Sequence, residues 1–345
     1  MQLRKLARHN ETYIFLVIIA LAAIIQVRSG QFFSPNNIVD LASALVVPGL
    51  MAIGVFMVII SGGIDVSFPA LASLSIYITT KFFLDIEYEG GILMPILMVC
   101  VIGAVLGAIN GFLIATFNLP PLIVTLGTAS VFRGFMQGAL ASKQLAVIPG
   151  GMLSFGTGAL FIARNKVSGL SSRMPPSFLI LVVVLIIAFF VLRFTMLGRG
   201  LYAIGGNEIS ARRAGFNVWL IKFLLYVGVG VIASLAGFIR VCMMTQCHPT
   251  NMLGMEMMVI AGVVLGGTAI TGGAGSLTGC MLGTILIVMV QNSLILMGIP
   301  TFWQGFSVGT LIIIGTGVSA YQVTRMNDPA RIVRSKAGRL AHETK

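Results

Sequence analysis

Asp65 breaks an apolar run in the segment Ser61-Gly62-Gly63-Ile64-Asp65-Val66-Ser67. An Asp at the centre of a membrane-crossing helix costs about 2.5–3.5 kcal/mol on insertion scales. Asp65 therefore does not face lipid. It either caps the helix after a turn or lines a wet passage in a broken helix. The same reasoning singles out Arg133, Gln137 and Glu256. Arg133 and Gln137 lie one helical turn apart on one face, either as a structural pair or with the Arg snorkelling to an interface. Asn110, Thr125, Gln291, Asn292 and Trp303 carry the hydroxyl partners and aromatic face that a sugar needs, and each singly serves equally well as glue between helices. This is the chemistry of recognising and passing a polar solute.

Catalytic chemistry finds less support. The 10 acidic residues form no pair placed like an acid and base, and the 3 histidines, His9, His248 and His342, are far apart. No lysine follows a glycine, so the phosphate-binding pattern G-x-x-x-x-G-K-[ST] is absent. If ATP drives this protein, another subunit binds it. Cys100 and Cys280 fall in apolar runs, where cysteine is a small packing residue. Cys242 and Cys247 flank a helix end beside His248, without the third and fourth ligands a metal needs. Packing is the expected role, with a disulfide between them as the alternative.

The loop from Gly198 to Phe216 contains Tyr202-Ala203-Ile204-Gly205-Gly206-Asn207-Glu208-Ile209-Ser210-Ala211-Arg212-Arg213-Ala214-Gly215. Asn207 is placed to cap a short helix over 208–214 that stops at Gly215. Glu208 then sits favourably in its first turn. A short, capped, charged helix is either a docking element or a solvated connection.

The elements that must position these residues follow from hydropathy. Charged residues are only 9% of the chain, and the mean hydropathy is +1.01. Apolar runs of helical length recur from Tyr13 to Tyr321, and only helices or closed barrels span a bilayer. The expected fold is an all-α integral membrane bundle of about ten transmembrane helices. The spans fall near 12–29, 41–60, 68–84, 92–117, 120–141, 177–193, 218–239, 255–271, 277–297 and 302–322. The run Tyr13–Val27 resembles a signal peptide, but Arg28-Ser29-Gly30-Gln31 follows in place of a small-x-small cleavage site, so it reads as an uncleaved first span.

Basic residues set the orientation. With the N-terminus inside, cytoplasmic segments hold Arg4, Lys5 and Arg8, then Arg199, Arg212 and Arg213, then the tail from Arg325 to Lys345. The positive-inside rule selects N-in and C-in, and it accounts for the net charge of +12 without nucleic acid. The domains are a cytoplasmic N-terminus (1–11) and a transmembrane domain (12–324), with an external loop at 142–176 and a cytoplasmic loop at 194–217. A basic cytoplasmic tail (325–345) completes them, suited to anionic lipid. Glycines at fourfold spacing, Gly103, Gly107 and Gly111, mark close helix packing.

At this point the residues resemble a family. Tyr202–Gly215 is similar to the coupling segment of ABC importer permeases, in the branch of ribose, arabinose, xylose, galactose and autoinducer sugar permeases, whose usual form is close to Y-A-I-G-G-N-E-x-A-A-x-x-x-G. Ser61–Ser67 resembles that branch's G-G-I-D-L-S. Pro120–Gly127 followed by Arg133-Gly134 resembles P-P-F-I-V-T-L-G and R-G. Leu265–Thr268 with Gly272–Ser276 resembles L-G-G-T-x-x-x-G-G-x-G-S. The likeness spans roughly residues 40–305. It departs at Phe68-Pro69, where V-G is usual, at Met258, which replaces an Asp, and at Ile295, which replaces an Asn. The resemblance implies a non-enzymatic permease subunit in the bacterial inner membrane, with a sugar or sugar-like solute. Its partners would be ATP-binding-cassette subunits holding ATP and Mg, a second permease copy or paralogue, and an external solute-binding protein. It carries the coupling role to Gly205, Gly206, Asn207, Glu208, Ala211, Arg212 and Gly215. A nucleoside or branched-chain amino acid as solute, or an ion-coupled secondary transporter, are the alternatives.

Overall fold

The computed structural model describes residues 10–140, 143–165, 169–300 and 302–310, with 313 and 317. Its helices are α1 (Asn10–Ser29), α2 (Pro35–Ile60), α3 (Phe68–Asp85), α4 (Leu93–Phe117), α5 (Pro121–Gly138), α6 (Gly150–Thr157), α7 (Ser177–Phe194), α8 (Met196–Gly206), α9 (Glu208–Arg213), α10 (Val218–Met244), α11 (Met255–Leu265) and α12 (Leu277–Leu296). Strands β1 (Phe161–Arg164) and β2 (Ser171–Met174) form an antiparallel hairpin, with Phe161 opposite Met174. Residues 303–310 are also helical.

Among the described residues six helices are long and apolar enough to cross a membrane: α1, α2, α4, α7, α10 and α12. α3 and α5 are each 18 residues long but more polar. The second expected span, 41–60, is longer than read, because Pro35 and the asparagines after it start the helix early. The eighth, 255–271, is shorter. α11 ends at Leu265, and Gly267, Gly272, Gly273 and Gly275 all take positive φ, which no helix accommodates. Residues 311–312, 314–316 and 318–322 of the tenth, and the tail 325–345, lie outside the described residues. The stretch 142–176, expected as an external loop, contains α6 and the hairpin.

The core is built around α2, whose residues Val46–Ile60 are all buried. α10 packs against α2, α3 and α4, and α12 packs against α2 and α11. Peripheral faces carry bare apolar side chains, such as Val27 on α1, Val101 on α4 and Phe190 on α7. That much apolar surface in water would be an aggregation site; in lipid it is the proper exterior. The α4–α10 seam is close because glycines line it. A Cβ on Gly107 would fall 2.3 Å from the backbone oxygen of Tyr226, and one on Gly230 would fall 2.2 Å from that of Gly103.

The connections gather at two ends. One end holds the α2–α3 break, the α4–α5 link, α8–α9 and the α11–α12 loop. The start of α1 joins them, since Glu11 accepts from Ser276 Oγ and from Thr278 Oγ1 (3.0 Å). At the other end Leu145 bridges to Cys247, Tyr77 donates to the carbonyl of Lys143 (2.9 Å), and Gly151 packs on Gly90.

Helix-seam packing gives a paired test. Gly107→Val forces α4 off α10 and lowers the thermal midpoint in detergent, at a cost of about 1–3 kcal/mol. Gly127→Val, on α5 with open space around it, carries the same β-branched residue without that clash. Equal midpoints for the two variants would contradict the seam.

Candidate functional site

The α2–α3 break is the centre of the polar architecture. The chain leaves α2 at Ile60, turns through Ser61 and Gly62, and runs without regular secondary structure to Ser67. In a bilayer such backbone tolerates no unpaired groups unless they are buried in protein or line a cavity. Thr125 on α5 supplies partners: its Oγ1 accepts from the Val66 amide and donates to the Ile64 carbonyl, both at 3.3 Å. Asp65, 2% exposed, accepts from the amide and from the hydroxyl of Ser67, both at 2.7 Å. Its carboxylate thus sits at the start of α3, where the helix dipole favours a negative charge. Asn110 on α4 donates to Ser67 Oγ at 2.8 Å. Asp65, Asn110 and Thr125, read separately in the sequence, are one cluster.

Two groups beside it have no partner among the described residues. Asn110 Oδ1 and the Tyr226 hydroxyl on α10 are both buried and unpaired. An unmet buried polar group costs about 1–3 kcal/mol. Tyr226 was not legible as a site residue, since it is a lone hydroxyl in an apolar run. So was Lys222, which reads as an ordinary topology charge.

The second feature is a meeting of three backbones. Ile60, at the end of α2, accepts from the Gly273 amide at 2.9 Å. A Cβ on Gly205, at the end of α8, would lie 1.9 Å from the Ile60 oxygen, and one on Gly272 would lie 2.7 Å from Gly62 Cα. Gly272 also takes φ +89°, so glycine is required there twice over. Tyr202 on α8 adds a hydrogen bond to the Gly275 carbonyl at 3.1 Å. Burial raises its phenol above the ordinary pKa, which keeps it a donor. The end of α8 is therefore tied directly to the α2–α3 break and to the α11–α12 loop.

α9 follows immediately. Asn207 Oδ1 accepts from the Ser210 amide at 2.8 Å, capping the helix. At its far end Gly215 takes φ +88°. The Phe216 amide bonds to the Ala211 carbonyl and the Gly215 amide to that of Arg212, a Schellman closure. Ala211 is buried, while Ile209, Arg212 and Arg213 are exposed. Glu208 binds Lys222 on α10 at 2.7 Å and Arg212 at 3.4 Å. Between α9, α10 and the break lies a cleft of about 420 Å³, lined by Ser61, Gly63, Pro121, Glu208, Lys222 and Tyr226 among others.

At the opposite end Arg133 on α5 pairs with Glu256 on α11 at 3.4 Å. The Glu256 carboxylate also accepts from the Gly254 amide at 2.9 Å. Gln137 is exposed one turn beyond Arg133, and Trp303 is exposed near the start of the last described helix. Asn292 is half-buried on α12, while its neighbour Gln291 donates to Met258 Sδ at 2.9 Å. These three do not join the cluster at the break. All four cysteines are free, and burial pushes the Cys247 thiol up to about 12, so it stays an uncharged packing group. Among the described residues no group of three or more His, Cys, Asp or Glu is placed to hold a metal.

Residues 37–315 match the family described as branched-chain amino acid transport system / permease component, and the chain belongs to that family. It is a multi-pass protein of the bacterial cytoplasmic membrane and a permease component, not an enzyme. It is similar to a ribose import permease protein of Bacillus subtilis (strain 168), 33% identical over 302 residues, 87% of this chain and 89% of that one. The ribose import permease protein of Escherichia coli (strain K12) is 30% identical over 293 residues, covering 84% and 87%. An autoinducer 2 import system permease protein of Yersinia pseudotuberculosis serotype O:3 (strain YPIII) is 29% identical over 313 residues, covering 91% and 85%. No solved structure matches.

The Arg133–Glu256 pair is open to a double-mutant cycle. Arg133→Gln, Glu256→Gln and the double variant should give a coupling of about 0.5–1 kcal/mol in unfolding stability, falling with added salt. Strictly additive effects would mean that the two side chains do not meet.

Proposed function

We propose that this chain is the membrane subunit of an ATP-driven importer that moves a sugar or sugar-like solute into the cell. The reading is carried by one observation: the capped helix α9 follows a helix end, Gly205-Gly206, that is in backbone contact with the α2–α3 break and the α11–α12 loop. A push on α9 is therefore delivered to the polar break without an intervening soft element. The solute class rests on relatives that are named as ribose and autoinducer 2 import permeases.

In this reading the chain crosses the membrane about ten times, with the N- and C-termini inside. The end bearing α8–α9, residues 194–217, faces the cytoplasm, where separate ATP-binding-cassette subunits holding ATP and Mg grip Glu208, Arg212 and their neighbours. Ala211 seats the helix, and Gly215 frees it from α10 with a left-handed turn. Residues 142–176 face outward and present α6 and the hairpin to a solute-binding protein. A second permease copy or paralogue completes the passage, and the tail 325–345 rests on anionic lipid.

The passage follows the remaining polar side chains. Arg133 and Glu256 join α5 to α11 at the outer end, with Gln137, Asn292 and Trp303 as further lining candidates. Asp65, Asn110 and Thr125 form the inner constriction. Alternating access would open one end while closing the other, provided the motor subunits bind the two states with different affinity. A nucleoside or branched-chain amino acid is the second reading of the solute. It is favoured by the family's description and by the loss of polar groups at Met258 and Ile295.

Reversing the charge at α9 tests the coupling. In the reconstituted importer Glu208→Lys breaks the tie to Lys222 and should lower solute uptake about tenfold or more, while ATP hydrolysis continues. Uptake at the wild-type rate would remove the coupling role. Uptake by the wild-type chain alone, driven by an ion gradient, would replace this reading with a secondary transporter.

A further inference from the structure

We propose that the buried face of the α2–α3 break recognises a neutral polyhydroxylated solute, with Tyr226 donating to one solute hydroxyl and Asn110 accepting from another. The proposal deepens the importer reading and rests on it for the direction of transport, though not for binding.

Tyr226 is 2% exposed and Asn110 is 1% exposed, and each holds a polar atom that no other described residue meets. Tyr226 offers an O–H; Asn110 offers a carbonyl oxygen, its amide nitrogen being spent on Ser67. Buried groups of this kind normally find a partner. The two stand at either end of the same short segment. A Cβ on Gly63 would lie 3.1 Å from the Tyr226 oxygen, and Asn110 holds Ser67, four residues further on.

Access comes from the cleft. Tyr226 and Ile114 both line it, while Asn110, one helical turn before Ile114 on α4, lies behind that lining. Its volume of about 420 Å³ falls within the ~300–1,000 Å³ of small-molecule sites. The charged side chains that line the cleft are paired with one another. Asp65 is held by Ser67, and Glu208 is shared by Lys222 and Arg212. What remains is one donor and one acceptor, beside the two ends of the Gly63–Ser67 segment. Successive hydroxyls of a sugar or sugar alcohol, each able to give and take a hydrogen bond, meet that demand.

Tyr226→Phe tests this with little change of shape. The full chain is purified in detergent, and its thermal midpoint is measured with D-ribose, D-galactose or ribitol, against a polyether that has no hydroxyl donors. At least one polyol should raise the wild-type midpoint above the polyether control. In Tyr226→Phe, and separately in Asn110→Ala, that added shift should be lost. Without solute, Tyr226→Phe should melt at the wild-type temperature or higher, since only an orphan hydroxyl is removed. Equal polyol shifts in wild type and Tyr226→Phe would overturn the assignment. So would a Tyr226→Phe protein that melts lower without solute, which would mean that the hydroxyl serves the fold. The assay needs no ATP and no partner, so its failure leaves the coupling of α9 standing. Failure of that coupling would likewise leave the polyol shift intact.

Discussion

A peptide group without a hydrogen-bond partner is intolerable where water is absent, and the break between α2 and α3 exists only because side chains and neighbouring backbones meet that demand. Thr125 serves Ile64 and Val66, Ser67 serves Asp65, and Gly273 serves Ile60. Each partner comes from a different part of the chain or from the first residues of α3. The break is thus a junction of α2, α3, α4, α5 and the α11–α12 loop, and a displacement of one element is felt by the rest. In the proposed importer, placing the polar cluster here, beside a cleft, turns a structural necessity into a place where a polar solute is met.

Glycine fixes the mechanical character of the junction. Gly205 and Gly272 bring three backbones to distances that any side chain would prevent, and Gly62 between them takes a positive φ. Backbone contact of this kind leaves no rotamers to absorb motion, so the end of α8 acts on the break as a solid body. α9 beyond it is held in shape by its own caps and by Glu208. The opposite end relies on a different device, the partly exposed Arg133–Glu256 pair. In the proposed importer, a firm linkage at one end and a loose latch at the other are what an alternating passage needs.

Much of this was legible in the sequence, and the failures have physical causes. Helix-length apolar runs gave α1, α3, α4, α7 and α12 nearly to the residue, because Pro, Gly and Asn stop helices for local reasons. The cap at Asn207 and the stop at Gly215 were legible for the same reason. The run 255–271 was overread because glycine and alanine score as apolar, while φ is invisible to hydropathy. The β1–β2 hairpin was missed, since strands of four residues carry no clear alternation. Arg133 and Glu256 were each picked out, but a pair 123 residues apart is a property of the fold. Tyr226 gave no signal at all: its importance lies in what it fails to bond, which only the packed structure reveals.

The central claim is that residues 205–215 form a cytoplasmic lever gripped by a separate motor. Thiol accessibility of Ser210→Cys, at an exposed position on α9, measures it most directly with a membrane-impermeant maleimide in vesicles of both orientations. The account predicts labelling in inverted vesicles only, and loss of that labelling when the ATP-binding partner is present. Labelling in right-side-out vesicles, or labelling indifferent to the partner, would contradict it.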